Sequence, residues 1–165
     1  MTVRNDLSES LENYLEVILD LEKKHKVARA KDIADRLQLQ RGTVTSALKA
    51  LADKGLINYE PYSLITLTPR GKKMGKEITE RHALLKEFLT KVLQVDAETA
   101  DDTACRLEHA IDPQTVERLT CFMQYIANCP RTNEQWLQSM LRFCTDRHCL
   151  SDDCRSCVDS IKTYD

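Results

Sequence analysis

Apolar residues return at helical spacing three times within the first 53 positions, and the pattern then breaks into two short runs. Leu11, Tyr14, Leu15, Ile18 and Leu21 predict an amphipathic helix over about residues 9–24, with Ser8 or Ser10 as its cap. Ala30–Leu37 predicts a second, short helix that turns Ile33, Ala34 and Leu37 inward. Residues 38–43 form a tight connection, and Thr43–Asp53 predicts a third helix with Val44, Ala47, Leu48 and Leu51 on one face. Gly55 stands where a helix end needs a left-handed residue. Leu56-Ile57 and Leu64–Leu67 read as strands around the tip Glu60-Pro61-Tyr62-Ser63.

Helix, short helix, turn, helix and hairpin is the order of a winged helix-turn-helix, in which the third helix enters a major groove. Gln40, Arg41, Thr43, Thr45, Ser46 and Lys49 lie on the face opposite the apolar stripe, with Lys31 on the helix before and Tyr62 at the wing tip. These side chains can reach base edges or phosphates of double-stranded operator DNA. The chain then continues as helix. Thr68-Pro69 starts a long one to about Val95, residues 98–111 a further one, and Asp112-Pro113 another to about Ala127. On the last, Val116, Leu119, Met123 and Ile126 share a face, and Cys121 reads as core beside them. The fold class is therefore mainly α: a winged helix-turn-helix over 1–70, a helical domain over 71–128 and a Cys-rich tail over 129–165.

Charge follows the same division. Residues 1–95 carry 17 Lys+Arg against 13 Asp+Glu, and residues 96–165 carry 7 against 13. A basic front suits a polyanion, and an acidic back does not. No run is long and apolar enough for a membrane span or a signal peptide, so a cytosolic protein is expected. In that compartment clustered cysteines more often bind metal or act in redox than form structural disulfides. No Gly-rich phosphate loop or nucleophile motif appears, which argues against an enzyme.

Cys105, Glu108 and His109 fall at i, i+3 and i+4, one face of a helix. A thiolate, a carboxylate and an imidazole suit Fe(II), Mn, Co, Ni or Zn rather than Ca or Mg. Around this triplet stand Leu11-Glu-Asn-Tyr-Leu-Glu16, Ala30-Lys-Asp-Ile-Ala34, Thr43-Val44, Leu67-Thr-Pro-Arg-Gly71 and Arg81-His82. In that order, over about residues 8–127, the chain resembles the metal-dependent repressors of the diphtheria toxin repressor and manganese transport regulator type. The resemblance implies a homodimer formed by the helical domain. It also implies a regulatory divalent metal held by Asn13, Glu16, His82, Cys105, Glu108 and His109. Asn13 departs from the Met of the iron-sensing branch and the Asp of the manganese-sensing branch. Lys86 stands where the iron branch has a Glu four residues after the histidine. Cys105 resembles the iron branch, whereas Glu16 and His82 fit the manganese branch. Fe2+ is favoured and Mn2+ remains open. The expected function is a repressor of metal-uptake genes. Without metal, Glu16, Glu108 and nearby Asp112 are expected to repel one another and loosen the joint.

The resemblance does not reach the tail. Cys144, Cys149, Cys154 and Cys157, with Cys129 as a fifth candidate, can hold a structural Zn2+ or an Fe–S cluster, and spacing does not choose between them. An alternative reading makes that cluster the responsive site of a redox or Fe–S sensor.

Overall fold

The computed structural model describes residues 7–60, 63–129, 132, 136–138, 140 and 141. The tail cysteines Cys144, Cys149, Cys154 and Cys157, and the wing-tip Tyr62, lie outside the described residues.

Helix α1 spans Glu9–His25 and starts at Ser8, whose carbonyl accepts from the amides of Leu11 and Glu12 at 2.9 and 3.1 Å. Helix α2 spans Ala30–Leu37 and ends on Gln38 in a left-handed conformation (φ 54°). Helix α3 spans Arg41–Asp53, two residues earlier than its apolar stripe predicts. Gln40 is extended and its carbonyl accepts from Val44 N–H at 3.2 Å, so the helix begins at Arg41. Gly55 takes φ 68°, as expected for the left-handed residue after a helix. Strands β1 (Ile57–Asn58) and β2 (Thr66–Leu67) pair antiparallel, Ile57 opposite Leu67 and Asn58 opposite Thr66. Ile65 adds a bridge to Ala28, anchoring the wing to the segment before α2.

Helix α4 spans Pro69–Glu87. Its cap Thr68 accepts from Gly71 N–H at 3.1 Å and donates to the Gly55 carbonyl at 2.8 Å. A Cβ on Gly71 would sit 1.9 Å from the Leu56 carbonyl oxygen, so only glycine lets α4 leave the wing at this angle. The helix does not run unbroken to Val95. Phe88–Val92 widens into a π turn, and Gln94 turns left-handed at φ 54°. Thr90 donates its hydroxyl to the Lys86 carbonyl at 2.8 Å, a side-chain competitor of the kind that disturbs the helical ladder. Helices α5 (Ala97–Leu107) and α6 (Pro113–Asn128) open on Asp96 and Asp112, which accept from Thr99 and Thr115 N–H, both at 3.0 Å.

Two apolar clusters result. The larger unites α1, α2, α3 and the hairpin, with Leu15, Ile18, Ile33, Val44, Leu48, Leu51 and Ile65 all at 0% exposure, and takes Ile78 from α4. The smaller holds Leu85, Leu89, Ala100 and Ala104, with Val95, Ile111 and Leu119 half-buried against it. Helix α6 has no buried residue in the protomer. The expected stripe of Val116, Leu119, Met123 and Ile126 is only half-buried. Cys121, expected in the core, is exposed. At 100° per residue it points away from that stripe, so packing α6 on α4 leaves it outside.

Candidate metal centre

Helices α1, α4 and α5 meet between the two clusters, and the chemistry-bearing side chains collect at that seam. Glu108 is at its centre, with 0% exposure. Helix α5 stops at Leu107, one turn short of expectation. Glu108 is its cap residue, with its N–H bonded to the Ala104 carbonyl at 2.9 Å, and His109 lies in the following turn. The triplet still converges: donor atoms of Cys105, Glu108 and His109 lie within 4.8 Å of one another. Cys105 is nevertheless exposed, the outermost of the three.

The other three expected ligands arrive from other helices. His82 on α4 faces Glu108, Nδ1 to Oε2 at 2.8 Å. Asn13 on α1 faces His109, Oδ1 to Nε2 at 2.9 Å. Glu16, one turn further along α1, faces the Glu108 carboxyl. Burial, then the Glu108 charge, pushes the Glu16 carboxyl up to about 7, and the imidazoles of His82 and His109 only partly offset this. Burial raises Glu108 as well. The Cys105 thiol is pushed up by desolvation and then by Glu108, Glu16 and other carboxylates. The six side chains thus gather at one polar pocket, in which burial and like charge disfavour ionising Glu16 and Glu108 together.

That pocket fits a divalent transition metal. Glu108 Oε1 is buried and accepts no well-formed hydrogen bond, with His109 Nε2 standing off at 3.3 Å, an arrangement that costs free energy unless a cation or a better-aimed donor meets it. The donor set is one thiol sulfur, two imidazole nitrogens, two carboxylates and one amide oxygen, a mixture suited to Fe(II), Mn(II) or Zn(II). Asp112, expected to add repulsion, does not join: it caps α6 with both carboxylate oxygens, at 3.0 Å to Thr115 N–H and 2.6 Å to its hydroxyl. Glu87, the carboxylate next to Lys86, pairs with Lys91 at 2.6 Å.

Sequence reasoning missed an outer layer. Glu12 is 4% exposed, and its Oε2 takes His109 Nδ1 at 2.8 Å and Arg81 Nη2 at 3.4 Å. His109 thereby turns Nε2 towards the pocket. Glu12 falls three residues from Leu15 on an apolar helix face, and a carboxylate there was the available signal. On the far side, His82 Nε2 meets Asp101 Oδ1 at 3.2 Å, and Lys86 Nζ meets the same oxygen at 2.5 Å.

Most of the residues expected to face DNA are at the surface. Lys31, Gln40, Arg41, Thr43, Ser46 and Lys49 are exposed. Thr45 is half-buried and donates to the Arg41 carbonyl at 2.9 Å, so its hydroxyl is engaged within the helix. Ser46 donates likewise to the Gly42 carbonyl at 3.2 Å. Among the described residues no helix is long and apolar enough to cross a membrane.

The chain is similar to known proteins. Residues 6–65 match the profile of the iron dependent repressor N-terminal DNA binding domain, and residues 68–137 that of the iron dependent repressor metal binding and dimerisation domain. The chain is 38% identical over 119 residues to the helix-turn-helix transcriptional regulator MJ0568 of Methanocaldococcus jannaschii, covering 72% of this chain and 95% of that protein. It is 35% identical over 121 residues to the transcriptional regulator MntR of Listeria welshimeri, covering 73% and 84%. Among solved structures, the manganese regulator SloR superposes with TM-score 0.63 at 27% identity over 70% of this chain. The chain spans about half, 54%, of the length of that SloR chain.

Proposed function

Because the chain belongs to the iron dependent repressor family of metal-dependent, DNA-binding transcriptional repressors, we propose that it represses metal-uptake genes in response to Fe(II). The family is regulatory rather than enzymatic, and its two domains imply operator DNA and a second copy of the chain as partners. The proposed division places the DNA reader in 1–70 and the metal and dimer domain in 71–128. The observation that carries the reading is the convergence of Asn13 and Glu16 from α1 with His82, Cys105, Glu108 and His109 from the second half.

Helix α1 packs in the core of the DNA-binding half, while Glu108 and His109 end α5 of the other half. Glu16 and Glu108 hold these two elements face to face at a cost in mutual repulsion. A bound divalent cation supplies the compensating charge. Asn13 and His109 then fix the angle between α1 and α5, and with it the separation of two α3 helices in a dimer. Half-sites in successive major grooves lie roughly 34 Å apart, so that separation governs affinity. A coupling of about 1–3 kcal/mol gives about 5–150-fold in DNA affinity. Arg41, Thr43, Ser46 and Lys49, with Lys31, Gln40, Thr45 and Tyr62, form the proposed DNA contact.

Cys105 favours Fe(II), as the single soft donor among harder ones. Mn(II) is the second reading, favoured by the three oxygen donors Asn13, Glu16 and Glu108 and by the 35% identity to MntR. Operator affinity measured anaerobically with Fe(II), with Mn(II) and with chelator decides. Tightening by Fe(II) at lower concentration than Mn(II), lost in C105S, supports the first reading. The tail cysteines Cys129, Cys144, Cys149, Cys154 and Cys157 remain a proposed Zn2+ or Fe–S site on spacing alone. One Zn per colourless chain, or labile sulfide in a brown one, distinguishes the two. If that tail were the sensor, C154S/C157S would abolish the response while Glu108→Ala left it intact.

A further inference from the structure

The geometry points to Asp101, braced by Lys86, as a positioning residue that aims His82 Nδ1 into the metal pocket. This rests on the metal-site reading above.

The two imidazoles of the pocket are held by different nitrogens. His109 faces the buried Glu12 with Nδ1 and turns Nε2 inward. His82 does the reverse: Nε2 faces Asp101 Oδ1 at 3.2 Å, and Nδ1 faces Glu108 Oε2 at 2.8 Å. A ring nitrogen that donates its proton to a carboxylate leaves the other nitrogen's lone pair for a cation, and the bond fixes both tautomer and ring plane. Asp101 is itself held, because Lys86 one turn along α4 from His82 reaches the same Oδ1 at 2.5 Å. His82 and Lys86 lie on α4 and Asp101 on α5, so the clamp also ties these helices together on the outer side of Glu108. Asp101 falls four residues before Cys105, on the same helix face, and its Oδ1 is shared by Lys86 and His82.

Charge and hydrogen bonding can be separated at this position. Asp101→Asn and Asp101→Ala remove the same charge, but only Asn keeps an oxygen that can accept from His82 Nε2–H. In the full-length protein, Mn2+ affinity is measured for both variants and for Glu108→Ala. Loss of an outer partner typically costs 10–100-fold in metal affinity, and an exposed one belongs at the lower end. Asp101→Ala is therefore expected to bind Mn2+ about tenfold more weakly than Asp101→Asn. In the Zn2+-loaded wild type, nitrogen NMR is expected to show His82 ligated through Nδ1 and protonated at Nε2. Equal affinities for the two Asp101 variants, or ligation through Nε2, overturn the clamp. Glu108→Ala separates the two levels: if it loses Mn2+ while the Asp101 variants match each other, only the clamp fails. If Glu108→Ala keeps Mn2+ affinity, the site itself fails.

Discussion

The two halves of the chain are stabilised by different means. The winged-helix half closes an apolar cluster from three helices and a hairpin, with Leu48, Leu51, Val44 and Ile65 wholly removed from solvent. The second half closes around two leucines and two alanines, leaves α6 without a buried residue, and places the wholly buried Glu108 beside this small cluster. The first half holds its shape by apolar packing, with Ile78 of α4 added to its cluster. On the proposed reading the second is completed by charge at Glu108 and by cover over α6. Phe122 and Tyr125 on α6 are 42% and 61% exposed, the apolar surface a dimer would remove from water. A sensor needs this inequality: one rigid reader, and one joint whose stability depends on a ligand.

The sharpest test of that contrast is a pair of core truncations. Leu48→Ala should destabilise the protein by about 2–5 kcal/mol, the range for a wholly buried leucine whose cavity cannot collapse. Leu119→Ala, half-buried against the smaller cluster, should cost well under half of that in the monomer. Urea unfolding of both variants checks it, and equal losses would abolish the distinction. Next in size is Glu108→Ala. If Glu108 is the central ligand, as proposed, metal affinity should fall by more than the ~10–100-fold typical of outer partners. Operator affinity should then be the same with metal and with chelator. A smaller effect is expected at the reader's surface. If Arg41 and Lys49 each neutralise one phosphate, each alanine variant should reduce the slope of log affinity against log salt by about 1. Specificity among sequences would change little for Lys49 and more for Arg41 if the latter reaches a base edge.

Sequence legibility follows the same division. The reader was legible nearly residue by residue, because apolar spacing and caps are local and one set of contacts satisfies them. The start of α3 moved from Thr43 to Arg41, since the extended Gln40 opens the helix ahead of the apolar stripe, and the strands expected at Leu56-Ile57 and Leu64–Leu67 pair only at Ile57–Asn58 and Thr66–Leu67. In the second half, long-range packing decides. The π turn at Phe88–Val92 and the exposure of Cys121 depend on how α4, α5 and α6 lean on one another, which no local period encodes. At the site, Cys105, Glu108 and His109 were readable from spacing, while Asn13, Glu16 and His82 needed the family resemblance. Glu12, Arg81, Asp101 and Lys86 were invisible as a layer, because each is an ordinary charged residue until three helices bring them around two imidazoles.

A separate expected effect is a pH dependence that runs opposite to ordinary acid denaturation. Glu16 titrates near 4.5 when exposed and at about 7 in the folded chain. Between those values the folded protein holds a proton that the unfolded chain has released. Its stability must therefore fall as pH rises through the window, by linkage. The contribution is intact below about 4.5 and lost above about 7. Asp96 and Asp112, whose carboxyls are held low by their caps, lose stability only as pH falls below the carboxylate range, outside this window. In chelator, the melting temperature of the wild type minus that of Glu16→Gln should therefore decline from pH 5 to pH 7. With saturating Mn2+ the decline should vanish or reverse, because the cation displaces that proton and binds better as pH rises. A flat difference in chelator would mean that Glu16 and Glu108 do not strain the joint. The second half would then be as self-sufficient as the first.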